Sequence, residues 1–362
     1  MTAALILTAL TIFLLFATGI SFARIAHGFV RVFAFPRLQF LALTLVLVPL
    51  TVWLVEPVLW MWSLLVGQAI VVAVQVVSIA QFTPLRRRQS QLYEGDPNGK
   101  NTVSVLSYNV KMSNRDHDRA ISLVRDVDPD IVIFMETDGN WAEALEPLLE
   151  GRPHGVWHPL DNSYGMILMS RHPLEDTKVQ YLVMQGVPSI MTTVVLPDGQ
   201  RFRLYGVHPE PPVPHADSAG RDAELLQVAE LVKENPAPAI VCGDLNDVAW
   251  SHTTRLFQRV SGLLDPRVGR GFYNTFDTRF WFMRWPLDHL FHDARFQLVA
   301  MKRLPDIGSD HYPMYFKLAL TASGEAAEMP ESEDAADREE CAEIEKDARA
   351  LDRDAIGTDW EK

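Results

Sequence analysis

Cysteine is nearly missing from this chain of 362 residues: Cys242 and Cys341 are the only two, too few for a disulfide framework. Cys242 follows the apolar run Ala239-Ile240-Val241 and reads as buried packing. No Cys/His cluster has metal-ligand spacing, which argues against structural zinc. The first 90 residues contain no lysine and a single acid, Glu56, beside six arginines, so they carry +5 within a chain of net charge -13. Charge is absent altogether from 2–23, 38–55 and 57–82. A soluble protein does not begin this way. A basic stripe is also missing from 91–320, which carries a net -8. Duplex-binding proteins neutralise phosphates with clustered Lys and Arg, so that class is disfavoured.

Residues 1–88 read as a membrane anchor. The first uncharged stretch has 22 residues, enough to cross a bilayer at about 1.5 Å per residue. The second is shorter and carries Pro49, which makes it the weakest of the three spans. A cleaved signal peptide is the alternative for the first, but the basic n-region is lacking and two further apolar stretches follow. Arg24, Arg31 and Arg37 lie between spans one and two, and Arg86, Arg87 and Arg88 follow span three. Positive-inside counting therefore places the N-terminus outside and the following domain in the cytoplasm. The segment Arg24–Phe35 reads either as a helix in the headgroup layer or as an ordinary inside loop. Residues 89–101 read as a linker and 102–320 as the catalytic domain. The stretch 321–362 holds 15 acids and 5 basic residues and is expected to be a disordered tail, with helix as an alternative around Ala335–Leu351.

Within 102–320, the runs 103–108, 131–135, 166–169, 190–196, 202–207 and 239–242 predict buried strands. Helix-spaced apolar residues mark 116–126 and 219–234, where Leu225, Leu226, Ala229 and Val232 form the buried stripe. The pattern predicts an α/β four-layer sandwich, two packed mixed sheets flanked by helices, preceded by three transmembrane helices. Each strand end delivers a carboxylate, carboxamide or imidazole: Asn109, Glu136, His208, Asp244-Leu245-Asn246, Asp288-His289 and Asp310-His311. Loops after buried strands are where such groups do chemistry.

The segments LSYNV, PDIVIFMET, YGMILMSRHPL, GVHPEPP, VCGDLND, PLDHLF and GSDHYPM resemble, in order, the endonuclease/exonuclease/phosphatase (DNase I-like) superfamily. The resemblance covers roughly 102–320 and leaves the spans and tail unexplained. It implies hydrolysis of phosphodiesters or phosphomonoesters with Mg²⁺, with Mn²⁺ as a substitute. Glu136 is then the leading metal ligand, with Asn109 beside it and Asp310 contributing; hard oxygen donors suit that ion. Asp244 is the candidate base for the attacking water, with Asn246 holding phosphate or water. His311 would oppose the growing phosphoryl charge, with Asp288 orienting it, and His208 would act on the leaving-group side. Tyr164 is a candidate substrate contact, and Arg171 and Arg221 are candidate phosphate or structural contacts. Each residue alone also has a plainer account: Asn109 as a turn cap, Asp244 as a turn acid, Asp288 as a helix cap, Arg171 as a loop tie. The chain departs from some nuclease members at Lys111, where they place an acid, and this speaks against a second metal site.

Two substrate readings follow. A membrane-tethered phosphoesterase acting on a lipid-linked or small phosphate ester fits the spans and the acidic domain, since anchoring raises the local concentration of lipid. A tethered nuclease acting on DNA or RNA is the alternative. Seven aromatics in 272–285 (Phe272, Tyr273, Phe276, Phe280, Trp281, Phe282, Trp285) could enter headgroups, stack bases or pack the sandwich edge. No nucleic-acid patch and no protein partner can be inferred. A scaffold that kept the fold without activity is disfavoured by the complete set of polar residues.

Overall fold

The uncharged N-terminal stretches form three helices long and apolar enough to cross a membrane. In this computed structural model, which describes residues 1–322, 324 and 328–359, they are α1 (Thr2–Ile20), α3 (Arg37–Leu54) and α4 (Leu59–Ile79), with a short α2 (Gly28–Arg31) between the first two. The weakest expected span is thus an 18-residue helix with Pro49 inside it. Leu5, Ile12, Phe16, Val46 and Ile70 are exposed on the bundle, while Gln68 donates to Thr11 and Thr51 inside it. Apolar outside and hydrogen-bonded inside is how helices associate in lipid.

Residues 102–320 contribute β1 (Thr102–Asn109), β2 (Ile131–Met135), β3 (His154–His158), β4 (Met166–Ser170), β5 (Leu174–Gln180), β6 (Ser189–Val195), β7 (Arg201–Gly206), β8 (Ala239–Asp244), β9 (Asp288–His292), β10 (Phe296–Arg303) and β11 (Met314–Leu320). They make a six-stranded sheet, β10-β11-β1-β2-β4-β3, and a five-stranded sheet, β5-β6-β7-β8-β9. Both sheets mix parallel and antiparallel pairs. Their facing sides share one core that includes Val105, Ile133, Met166, Ile190, Leu204, Ile240 and Leu290. Outside them pack α5 (His117–Val127), α6 (Gly139–Leu145), α7 (Ala219–Glu234), α8 (His252–Ser261) and α9 (Ala335–Arg349). Strands such as β1 and β2 are buried along their whole length, which is why they read as continuous apolar runs.

Two expectations change. Asp288 begins β9 and Asp310-His311 precede β11, so these groups lie before strands, not after them. β9 runs antiparallel to β8 with Asp244 opposite Asp288, and the start of one strand therefore meets the end of the other at one sheet edge. The acidic tail is the second, where the helical alternative around Ala335–Leu351 replaces the expected disorder. Residues 323, 325–327 and 360–362 lie outside the described residues, but α9 opens with an Asp334–Asp337 capping box and packs Cys341, Ile344 and Ala348 onto the α7 cluster. A three-residue apolar stripe within the acidic composition accounts for the docked helix.

Candidate active site

The strand edge built by β1, β2, β8 and β9 frames a cavity of about 410 Å³ lined by Glu136, His208, Asp244, Asn246, Asp310 and His311, among others. Asn109 ends β1 and is buried behind it; its Nδ2 donates to Glu136 Oε1 at 2.7 Å and to Asp244 Oδ2 at 3.0 Å. One carboxamide thus holds two carboxylates in register. Lys111, Glu136 and Asn246 all take left-handed backbone angles, φ +58°, +59° and +50°. Non-glycine residues in that region are uncommon and gather where a site over-determines the chain. Gly243 at φ +149° is required by close approach: a Cβ there would meet Val207 O at 1.9 Å. That contact brings Asp244 to within 3.9 Å of His208 Nε2.

A buried relay crosses the cavity floor. His311 Nδ1 pairs with Asp288 Oδ2 at 2.8 Å, and its Nε2 stands 3.4 Å from Asp244 Oδ2. Burial opposes charge on His311, but Asp288 and Asp244 outweigh it and hold the imidazolium up to about 10. Burial raises the Asp244 carboxyl against the pull of His311. His208 faces the same carboxylate, yet desolvation dominates and lowers it to about 4, so it is neutral near pH 7. Ser309 donates to Asn109 O and accepts from His311 N, and Thr275 Oγ1 accepts from Asp288 N. These two hydroxyls were not foreseen from the sequence.

Glu136 and Asp310 face the cavity with oxygen donors only, a set that fits a hard divalent ion. Asn109 adjoins Glu136 through its NH₂, while its oxygen accepts from Lys111 N at 3.0 Å. Lys111 Nζ lies 2.8 Å from Asp310 Oδ2. Burial works against the Asp310 charge, but His311 and Lys111 hold its carboxyl below the usual range. The ammonium supplies positive charge where an acid would favour a second cation. Asp244, Asp288 and His311 also place donor atoms within 4.8 Å of one another, a spacing open to a metal, but His311 already directs both ring nitrogens at the two carboxylates.

Three expected substrate contacts are placed differently. Tyr164 lines the cavity, its ring tilted against His208 with centroids 5.3 Å apart, but its hydroxyl donates to Ile356 O of the tail. Arg171 lies away from the cavity and binds Asp128 and Asp130. The antiparallel register Ile131↔Ser170 puts it at the opposite end of β2 from Glu136. Arg221 is fully buried and bonds Asp222 and the carbonyl of Asn246. Phe35 and Gly357 also line the cavity, one from the anchor and one from the tail. No local motif could have signalled either, because each reaches the site only through the fold.

The family model of the Endonuclease/Exonuclease/phosphatase family matches residues 106–311, more than half of the chain. None of the curated proteins matches the chain. Among solved structures, the human Nocturnin catalytic domain with bound sulfate anion is similar at TM-score 0.51 and 17% identity, covering 61% of this chain and 94% of that one. TDP2 of D. rerio complexed with single strand DNA product gives 0.50 and 19%, over 60% and 98% of the two chains. An endonuclease/exonuclease/phosphatase family protein of Bacteroides thetaiotaomicron gives the same four figures. At these identities the likeness establishes the fold alone.

Proposed function

The chain belongs to the Endonuclease/Exonuclease/phosphatase family, and on that footing we propose that it is a membrane-anchored, Mg²⁺-dependent hydrolase of phosphoric esters, with lipid-linked or small phosphate esters as its substrates. The observation that carries this reading is the Asp288–His311–Asp244 relay facing Glu136 and Asp310 across one cavity. Water attacks phosphorus, the P–O ester bond breaks, and the freed oxygen takes a proton from solvent water and leaves as an alcohol. Asp244 orients the water and accepts its proton, helped by its raised carboxyl. His311 donates to the phosphoryl oxygen as charge builds, with Asp288 fixing its ring. Asn246 holds the phosphate or water, and His208 stands on the leaving-group side. Glu136 and Asp310 would hold Mg²⁺, with Asn109 orienting Glu136; the ion supplies charge neutralisation at the phosphoryl oxygens.

Membrane attachment is the second half of the reading. Phe35 lies two residues before α3 and forms part of the cavity wall, beside Phe276, Leu287, Pro211 and Pro212. Gln39, in the first turn of α3, donates to Phe282 O, which keeps exposed Phe280, Trp281 and Phe282 near the base of that span. Aromatic side chains at such a level suit a bilayer interface. Of the other four aromatics of that run, Phe272, Phe276 and Trp285 pack against anchor residues and Tyr273 against the core between the sheets. Positive-inside counting puts the domain in the cytoplasm.

A nuclease reading is favoured by one feature, the 83% exposed Trp281, which offers a base a stacking face. Against it, Arg115, Arg119 and Arg279 are each paired with an acid. A panel on the full chain in nanodiscs decides: bis-p-nitrophenyl phosphate, p-nitrophenyl phosphate, a phospholipid, polyprenyl pyrophosphate, single-stranded DNA and an abasic duplex, all with Mg²⁺. Lipid or small-ester turnover exceeding DNA cleavage supports the proposal. DNA cleavage that dominates and weakens steeply with salt would replace it with the nuclease.

A further inference from the structure

Arg31 belongs to the membrane anchor, yet its side chain is buried in the catalytic domain. Its Nε and Nη2 reach Asp222 Oδ2 at 3.1 and 2.8 Å. The other carboxylate oxygen of Asp222 accepts from Arg221 Nε and Nη2 at 2.9 and 2.6 Å. Arg221 then turns Nη1 to the carbonyl of Asn246 at 3.1 Å and lies 3.5 Å from Asp247 Oδ1. Two guanidiniums and two carboxylates thus form a buried, charge-balanced chain that runs from the anchor to the loop after β8. That loop carries Asn246 and begins where Asp244 ends the strand.

We infer that Arg31 is a positioning residue, through which the membrane anchor completes the active site by way of Asp222, Arg221 and Asn246. Without Arg31, one guanidinium remains for Asp222 and Asp247 together, and a buried carboxylate is left undercompensated. Arg221 is then drawn toward Asp222, and the Asn246 carbonyl and Asp247 lose their shared partner. The backbone there already sits at φ +50° and depends on its surroundings to stay so. The anchor loop is seated firmly enough to do this. Gly28 N donates to Ala216 O, Ser218 N to Ala26 O, and Trp250 Nε1 to Ala34 O. Any side chain at position 28 would strike Val213 O, which stands 1.9 Å from where its Cβ would be.

The catalytic consequence rests on the phosphoesterase reading above; the structural one does not. The test uses the full chain in nanodiscs, as wild type, Arg31→Ala, Arg31→Lys, Asn246→Ala and the Arg31→Ala/Asn246→Ala double variant. Hydrolysis of bis-p-nitrophenyl phosphate with Mg²⁺ is measured beside hydrogen exchange of residues 244–251. Arg31→Ala is expected to lower kcat by about 10-fold to 10²-fold, the effect of a small misplacement, with KM nearly unchanged. Arg31→Lys should recover part of that loss, and the double variant should be no slower than Asn246→Ala alone. Exchange should quicken over 244–251 and stay unchanged in β1 and β2. Wild-type kcat with wild-type exchange in Arg31→Ala overturns the inference, as does faster exchange throughout the domain, which makes Arg31 a general fold contact. If wild type hydrolyses nothing, the phosphoesterase reading fails while the exchange arm still decides the relay.

Discussion

His311, just before β11 of one sheet, and Asp288, the first residue of β9 in the other, meet at 2.8 Å, with the imidazole Nδ1 facing a carboxylate oxygen that belongs to a fully buried side chain. This pairing fixes the ring so that Nε2 points at Asp244 and the cavity. If Asp288 acts only through His311, His311→Ala lowers turnover by about 10²-fold, roughly 3 kcal/mol of transition-state stabilisation. Asp288→Ala costs less, and the double variant is little worse than His311→Ala. Steady-state kinetics on variants that melt near wild type check this; additive losses would give Asp288 an independent role.

Asp244→Asn keeps the shape and the hydrogen bond from Asn246 N but removes the proton acceptor. Turnover should fall by about 10²-fold or more with little change in KM. A variant with wild-type kcat would move the base elsewhere in the cavity.

Stability should depend on pH through His292. It is fully buried, its Nδ1 donates to Asp293 O at 2.9 Å, and its Nε2 accepts from Ser90 Oγ of the linker at 2.6 Å. Desolvation lowers it to about 4 in the folded state. The folded value lies below the ordinary 6.5, so the neutral form is what folding favours. That contribution is complete above 6.5 and is lost as pH falls toward 4, by about 3 kcal/mol in all. Thermal melting between pH 7 and 4.5 should show a shallower decline in His292→Gln than in wild type; parallel slopes would remove His292 from the acid response.

Orientation is open to a direct assay. Alkaline phosphatase fused at the C-terminus should be inactive, and a fluorescent protein there should be bright. The opposite pair would place the cavity outside and make extracytoplasmic lipid carriers the leading substrates.

Asn109, Glu136, His208 and Asp244 were legible as strand-end polar groups because each closes or follows a continuous apolar run. Asp288 and His311 were found as residues but misplaced in the fold, since nothing local says that β9 and β11 run antiparallel to β8 and β1. Arg171 and Arg221 were left between a phosphate and a structural role for another reason. An arginine's partner is chosen by tertiary register, and theirs are structural acids rather than a phosphate. The contact made by the Arg24–Phe35 segment was hidden in the same way: Arg31 reads as an interfacial charge until Asp222, far along the chain, takes it up.

The central claim, divalent-metal hydrolysis of a phosphoric ester at Glu136, is tested most directly by titrating Mg²⁺ into the EDTA-treated full chain while following p-nitrophenol release from bis-p-nitrophenyl phosphate. The account predicts no release in chelator, recovery on adding Mg²⁺, and a higher Mg²⁺ requirement in a folded Glu136→Gln variant. Undiminished release in EDTA, or the same Mg²⁺ titration in Glu136→Gln as in wild type, would contradict it.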